Sequence, residues 1–171
     1  MDRADASAHA RHDRENARRV KLACPVADRC PVATRTIFTI EGTISVEHRP
    51  AERALIGHWQ SLCTAQFRDA LQRAMAEAGK VGAITWIVDL TENPGVPSQA
   101  DLAWIESTGV GLAKKHGVRA IVNVHGRSKV ATMGSKRWSK SASEGGMSTY
   151  DCANFVDALQ LASDIASGKA A

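Results

Sequence analysis

The stretch Ile84–Leu90 constrains the fold of this chain more than any other segment. It reads Ile-Thr-Trp-Ile-Val-Asp-Leu and is bounded by Gly82 and by Asn93-Pro94-Gly95. A short continuous apolar run between turn residues is typical of a strand that is covered on both faces. We therefore predict an α/β fold with a mostly parallel sheet, and functional groups beyond the carboxyl end of this strand.

Two kinds of apolar spacing precede the central strand. Residues 36–46 alternate and are rich in β-branched types, which predicts a strand that breaks into a hairpin or a bulge at Glu41-Gly42. In residues 50–78 apolar positions recur every three or four residues, which predicts one long helix that ends at Gly79, or that breaks near Gly57. The apolar stripe of this helix consists of Leu55, Ile56, Trp59, Leu62, Cys63, Phe67, Leu71, Met75 and Ala78.

The rest of the chain predicts further alternation of helices and strands. Ser98 caps a helix, and residues 118–124 form the next strand, parallel to the central one. A helix after Ser128, a short strand at 147–150 and a last helix capped by Asp151 follow. The inward residues of these two helices are Val130, Met133, Trp138, Phe155, Leu159, Ala162 and Ile165. The pattern predicts one small α/β layer with helices mainly on one face of the sheet.

The length of 171 residues and the hydrophobic content of 44% suit one domain. We assign residues 34–167 to this domain and the polar residues 1–33 to an N-terminal extension. The four scattered cysteines favour a reducing compartment, and we expect a cytoplasmic protein without a membrane span. We predict no metal and no cofactor; the alternative is a metal or haem site at Cys24 and Cys30 in the extension.

A basic segment extends from Ser107 to Ser143. It carries eight of the 22 Lys and Arg residues and none of the 18 Asp and Glu residues. This asymmetry indicates an anionic partner, namely an acidic protein face, a phosphate group or nucleic acid, while a solvated helix face is the simpler interpretation. We do not expect nucleic acid as the partner. The predicted basic surface consists of Arg127, Lys129, Lys136, Arg137 and Lys140.

The order of these elements resembles that of a STAS domain, the fold of the bacterial anti-sigma factor antagonists. The resemblance covers residues 34–167 and follows the layout of strands and helices. The segment from Ala131 to Leu159 is more similar to the divergent STAS/SEC14-like branch. The resemblance implies a non-enzymatic regulatory module that binds another protein, such as a kinase or an anti-sigma-like factor.

The antagonists carry a phosphorylated serine at the start of the helix that follows an Asp-Leu strand end. Counting from Asp89-Leu90, that serine corresponds to Ser98. Pro97 and Gln99-Ala100 stand where the family has an aspartate, a second serine and a glycine. The resemblance thus implies a switch at Ser98, while a plain helix cap is the alternative. The predicted partner-binding residues are Asp89, Thr91, Glu92, Asn93, Gly95, Ser98, Gln99 and Asp101.

Two other functions are alternatives. The STAS/SEC14 likeness implies a small-ligand or lipid-binding domain with an apolar cavity beside the central strand. A hydrolase would need a triad of Asp89, His125 and Ser98, and a thiol-dependent enzyme would need an activated thiol at Cys152. The chain has no phosphate-binding glycine loop and no G-x-S-x-G nucleophile motif, and we predict no enzymatic activity.

Overall fold

The computed structural model of the chain describes residues 34–92, 95–126 and 129–170, except for the side chain of Val130. The predicted N-terminal extension, including Cys24 and Cys30, lies outside these residues. The same is true of Asn93, Arg127 and Ser128. No helix in the described ranges is both long enough and apolar enough to cross a membrane.

Six strands form one mixed sheet, in which the spatial order is the chain order. The strands β1 to β6 are Arg35–Ile40, Ile44–Arg49, Ala54–Trp59, Thr85–Leu90, Ala120–His125 and Ser148–Cys152. β1, β2 and β3 pair antiparallel, whereas β3, β4, β5 and β6 pair parallel. The predicted α/β class with a mostly parallel sheet is confirmed.

Helices connect the parallel strands. α1 (Phe67–Val81) joins β3 to β4, and α4 (Lys129–Glu144) joins β5 to β6. Between β4 and β5 run α2 (Gln99–Trp104), a π-helical segment (Ile105–Gly109) and α3 (Val110–Lys115), and α5 (Phe155–Ala166) follows β6. Crossovers between sequential parallel strands share one hand, so the helices that connect them lie on one face of the sheet, and α5 covers the other.

The central strand β4 is buried along its whole length. Trp86, Val88 and Leu90 belong to the larger apolar cluster, beneath α1 to α4. Ile87 belongs to the smaller cluster, which α5 covers. The prediction of a strand covered on both faces is therefore confirmed, as is the placement of the helices mainly on one face.

The predicted long helix over residues 50–78 is wrong. Residues 54–59 form β3, and α1 begins only at Phe67. Five of the six β3 residues are buried, because the strand lies between β2 and β4 and is packed on both faces. A short apolar run of this kind fits the spacing of a helix and of a buried strand equally well. Gly79 lies inside α1, which ends at Val81 with Gly82 in the left-handed conformation at φ 67°.

Three other predictions concern the connection between β1 and β2 and the N-terminal caps of α2 and α5. Of the two alternatives at Glu41-Gly42, the structure shows the hairpin: β1 and β2 are joined by a turn at residues 41–43. The cap of α2 at Ser98 is also confirmed. The cap of α5 is not Asp151, which lies in β6, but Asn154, whose Oδ1 accepts the Asp157 N–H at 2.9 Å.

The inward faces of α4 and α5 agree only in part with prediction. Trp138 is buried, but Met133 is 74% exposed, so its predicted inward position is wrong. On α5, Ala162 is buried, and the other three predicted residues pack against the smaller cluster. Cys63, predicted on a helical stripe, is instead exposed in the loop before α1.

Gly57 is required by the packing of Trp86. A Cβ atom at this position would lie 2.5 Å and 2.8 Å from two atoms of the Trp86 ring. We expect Gly57→Ala to lower the free energy of unfolding by about 1–3 kcal/mol, as overpacked cores do. Chemical denaturation measures this change.

Gly111→Ala is the matched control. Gly111 lies in α3, and an added Cβ would meet nothing within 4 Å. The change should raise the free energy of unfolding by up to about 1 kcal/mol, because alanine favours a helix over glycine. Equal effects of both variants would contradict the proposed contact between Gly57 and Trp86.

Candidate functional site

Ser98 stands at the start of α2 in a hydrogen-bonded chain of three side chains. Its Oγ accepts the backbone N–H of Asp101 at 3.1 Å and donates to the Asp101 carboxylate at 2.6 Å. The other Asp101 oxygen accepts from Arg68 Nε of α1 at 2.7 Å. The hydrogen bond from Ser98 is the largest cause of a lowered Asp101 pKa, and Arg68 adds to it. Ser98 itself is exposed, so its hydroxyl is accessible to a partner.

The loop between β4 and α2 presents the other predicted partner-binding residues unevenly. Thr91 and Glu92 are exposed, while Gly95 is partly buried. Asp89 is only 9% exposed. Its carboxylate accepts two hydrogen bonds from Thr91, one from the backbone N–H at 3.0 Å and one from the hydroxyl at 2.7 Å. Asp89 therefore fixes the beginning of the loop.

Asp89 is also paired with His58 on the neighbouring strand. The two residues face each other in the parallel register of β3 and β4, and His58 Nδ1 lies 2.7 Å from the Asp89 carboxylate. The hydrogen bond with Asp89 raises the His58 pKa against the opposing effect of burial, and Glu47, 3.7 Å from Nε2, adds to the rise. Burial works to raise the Asp89 pKa, but the bonds from His58 and Thr91 outweigh it, and the pKa is lowered.

A second polar network lies on the opposite face of the same sheet edge. The buried Asn123 accepts from Trp138 Nε1 at 3.0 Å and donates to Ser139 at 2.9 Å and to Asp151 at 3.1 Å. The same oxygen of Asp151 lies 2.8 Å from His125 Nε2. This network attaches α4 to β5 and β6, while Nδ1 of His125 is buried without a hydrogen-bond partner among the described residues.

The residues of the alternative enzyme sites have separate partners. The side chain of Asp89 bonds to His58 and Thr91, that of His125 to Asp151, and that of Ser98 to Asp101. The side chains considered as a triad are thus not hydrogen-bonded to one another. Cys152 lies in β6 and not at the start of a helix, and burial raises the pKa of its thiol, as do Asp157 and Asp151. A raised pKa disfavours the reactive thiolate.

The predicted basic surface is partly a stripe on α4. Lys129, Lys136 and Lys140 are exposed and, with the exposed Met133, follow the helical spacing of a single face. Arg137 stands apart from this stripe. Its guanidinium pairs with Glu106 at 2.6 Å and donates to Gln99 Oε1 at 2.7 Å, so it connects α4 to α2 beside Ser98.

An apolar cavity lies beside the central strand. Its volume is about 60 Å³, and it opens to solvent through a mouth. β4 contributes Trp86 and Val88 to the wall, and α1 and the π-helical segment close the other side. The predicted cavity beside this strand is present.

Comparison with known proteins gives no match. No protein family, curated protein or solved structure matches this chain. Across the three described ranges, no group of three or more His, Cys, Asp and Glu side chains is placed to hold a metal ion.

Sequence reasoning missed His58, the Asn123 network and the wall of the cavity. His58 was hidden because its segment was predicted as helical, and only the strand register sets it opposite Asp89. Asn123 reads as one polar residue in an apolar strand, and nothing local indicates its bond to Trp138, 15 residues away.

The His58–Asp89 pair predicts a specific pH dependence. A raised His58 pKa gives stability that is fully present below the ordinary value of 6.5 and is lost as pH rises through the folded pKa. A lowered Asp89 pKa gives stability that is lost as pH falls through a value below 3.8. We expect His58→Gln to lose about 1 kcal/mol at mildly acidic pH, and less at alkaline pH, in urea unfolding.

His48→Gln provides a control of opposite sign. Burial and Arg35 lower the His48 pKa, so this residue disfavours the folded state as pH falls below 6.5. Removing it should improve relative stability in acid. A His58→Gln deficit that does not change with pH would contradict the charged pair.

Proposed function

We propose that this chain is a non-enzymatic regulatory module of STAS-like fold, which binds another protein through the loop at 91–98 and the start of α2. The observation that carries the proposal is the exposed Ser98 hydroxyl. It donates to the Asp101 carboxylate, which also accepts a hydrogen bond from Arg68. A kinase or an anti-sigma-like factor is the proposed class of partner. The absence of hydrogen bonds among Asp89, His125 and Ser98 favours binding over hydrolysis.

Phosphorylation of Ser98 would change this network in a defined way. A phosphoryl group on Oγ removes the proton that Ser98 donates to Asp101, and adds a charge of about −2 beside that carboxylate. Asp101 is paired with Arg68, the nearest cation of the network. Repulsion from Asp101 and attraction to Arg68 would move the guanidinium from the carboxylate to the phosphate. The surface at the start of α2 would then differ in both charge and shape.

The basic stripe of α4 supports a partner with acidic groups. Gln99, the residue after Ser98, accepts from Arg137, so the start of α2 adjoins α4. A partner that contacts the loop and extends over α4 would meet the exposed Lys136 and Lys140. Negative charge at Ser98 would oppose an acidic partner, so phosphorylation is expected to weaken binding.

The proposal predicts different effects for three variants at Ser98. Asparagine and aspartate both cap helices well, so Ser98→Asn and Ser98→Asp should fold normally. Ser98→Asp should weaken partner affinity, whereas Ser98→Asn should retain it. Ser98→Ala should lose about 1 kcal/mol of stability and still bind. The measurements are thermal unfolding of each variant and titration with a partner captured from native cell extract.

Asn154→Asp is the matched control for charge. Asn154 caps α5 and bonds to Asp157 as Ser98 bonds to Asp101, but α5 lies on the other face of the sheet. This variant should bind as the unmodified protein does. Equal partner affinity of the folded Ser98→Asp and Ser98→Asn variants would show that Ser98 acts only as a helix cap.

A further inference from the structure

The cavity beside β4 has a chemically uniform wall. Thirteen residues line it, all of them apolar side chains or glycine, and three are tryptophans. The lining residues are Trp59, Leu62, Phe67, Leu71, Met75, Trp86, Val88, Ile105, Gly109, Val110, Ala113, Ile121 and Trp138. The polar groups of these side chains are the three indole N–H donors, and that of Trp138 is already bonded to Asn123. A water molecule needs two to four polar partners, so this wall holds water poorly and favours an apolar occupant.

The size of the cavity limits the occupant. A volume of about 60 Å³ is several times the roughly 10–15 Å³ that one water requires. A cavity of roughly 150 Å³ is known to hold benzene, so a single ring would fill this space and extend into its open mouth. Leu71 of α1 is the most exposed lining residue, and Ile105 and Val110, each 9% exposed, come next.

The helical wall of the cavity is irregular where it meets the empty space. Ile105 and Gly109, the first and last residues of the π-helical segment, both line the cavity. The Val110 N–H bonds to the Ile105 carbonyl, five residues back, so one extra residue is inserted into the turn. Single π-helical turns of this kind occur frequently at functional sites. This irregularity is independent of the composition of the wall.

We propose that the cavity is a binding site for an uncharged compound with a single aromatic ring. The three tryptophans offer ring faces and edges for offset or edge-to-face contacts. No charged side chain lines the cavity to compensate a carboxylate or an ammonium group, so a charged ligand would lose its hydration without a partner. The site does not depend on the proposed switch at Ser98.

Titration of the ¹⁵N-labelled protein with benzene and with indole tests the site directly. The four indole N–H signals provide an internal control, because Trp59, Trp86 and Trp138 line the cavity and Trp104 does not. We expect saturable shifts at the three lining tryptophans, smaller changes at Trp104, and no saturable shift with benzoate. Shifts that stay linear up to the solubility limit, or saturable binding of benzoate at equal affinity, would overturn the proposal.

Filling the cavity supplies the second test. Ala113→Leu adds three carbons to a buried wall residue and should weaken benzene binding at least tenfold. Ala103→Leu makes the same change at an exposed position of α2 and should leave binding unchanged. If Ala113→Leu does not fold, Ala113→Val, which adds only two carbons, replaces it. Unchanged affinity in a folded Ala113 variant would place the ligand elsewhere and contradict the assignment.

Discussion

The burial of β4 on both faces is the constraint on which the rest of the structure depends. A strand without a polar face must be covered twice, and the chain does this with α1 to α4 on one side and α5 on the other. The parallel strands pair in chain order, and their crossover connections have the same hand. The helices α1 to α4 therefore lie on one face of the sheet. The terminal helix is then needed to cover Ile87 and its neighbours in β3 and β5.

The same parallel pairing brings polar side chains together at the carboxyl edge of the sheet. Residues alternate between faces along a strand, so His58 and Asp89 lie on the side of α5, while Asn123 and Asp151 lie on the side of α4. His58 pairs with Asp89 on one face, and His125 pairs with Asp151 on the other. Two histidine–aspartate pairs near one sheet edge thus form two separate structures, one that fixes the loop after β4 and one that attaches α4.

The larger cluster is built from bulky rings and small residues, and its cavity follows from that combination. The Trp86 ring lies across Gly57, where a side chain would collide with it. On the helical side, Gly109 and Ala113 leave space that the rings do not fill. The π-helical turn is located at this gap, so packing and backbone irregularity mark the same position. Partner binding at Ser98 and ligand binding in the cavity would use opposite ends of one helical run, from 99 to 115.

The sequence by itself determined the α/β class, the central strand, the hairpin and the cap at Ser98, because each depends on local spacing or on a residue with a specific backbone role. Only the tertiary structure decided that residues 54–59 form a strand, since an apolar run fits either period until its neighbours are known. The partners of His58 and Asn123 also required the fold, because strand register brings together residues 31 and 15 positions apart. The cavity is likewise decided by packing, since an empty volume depends on how several helices and strands fit together and has no local signal in the chain.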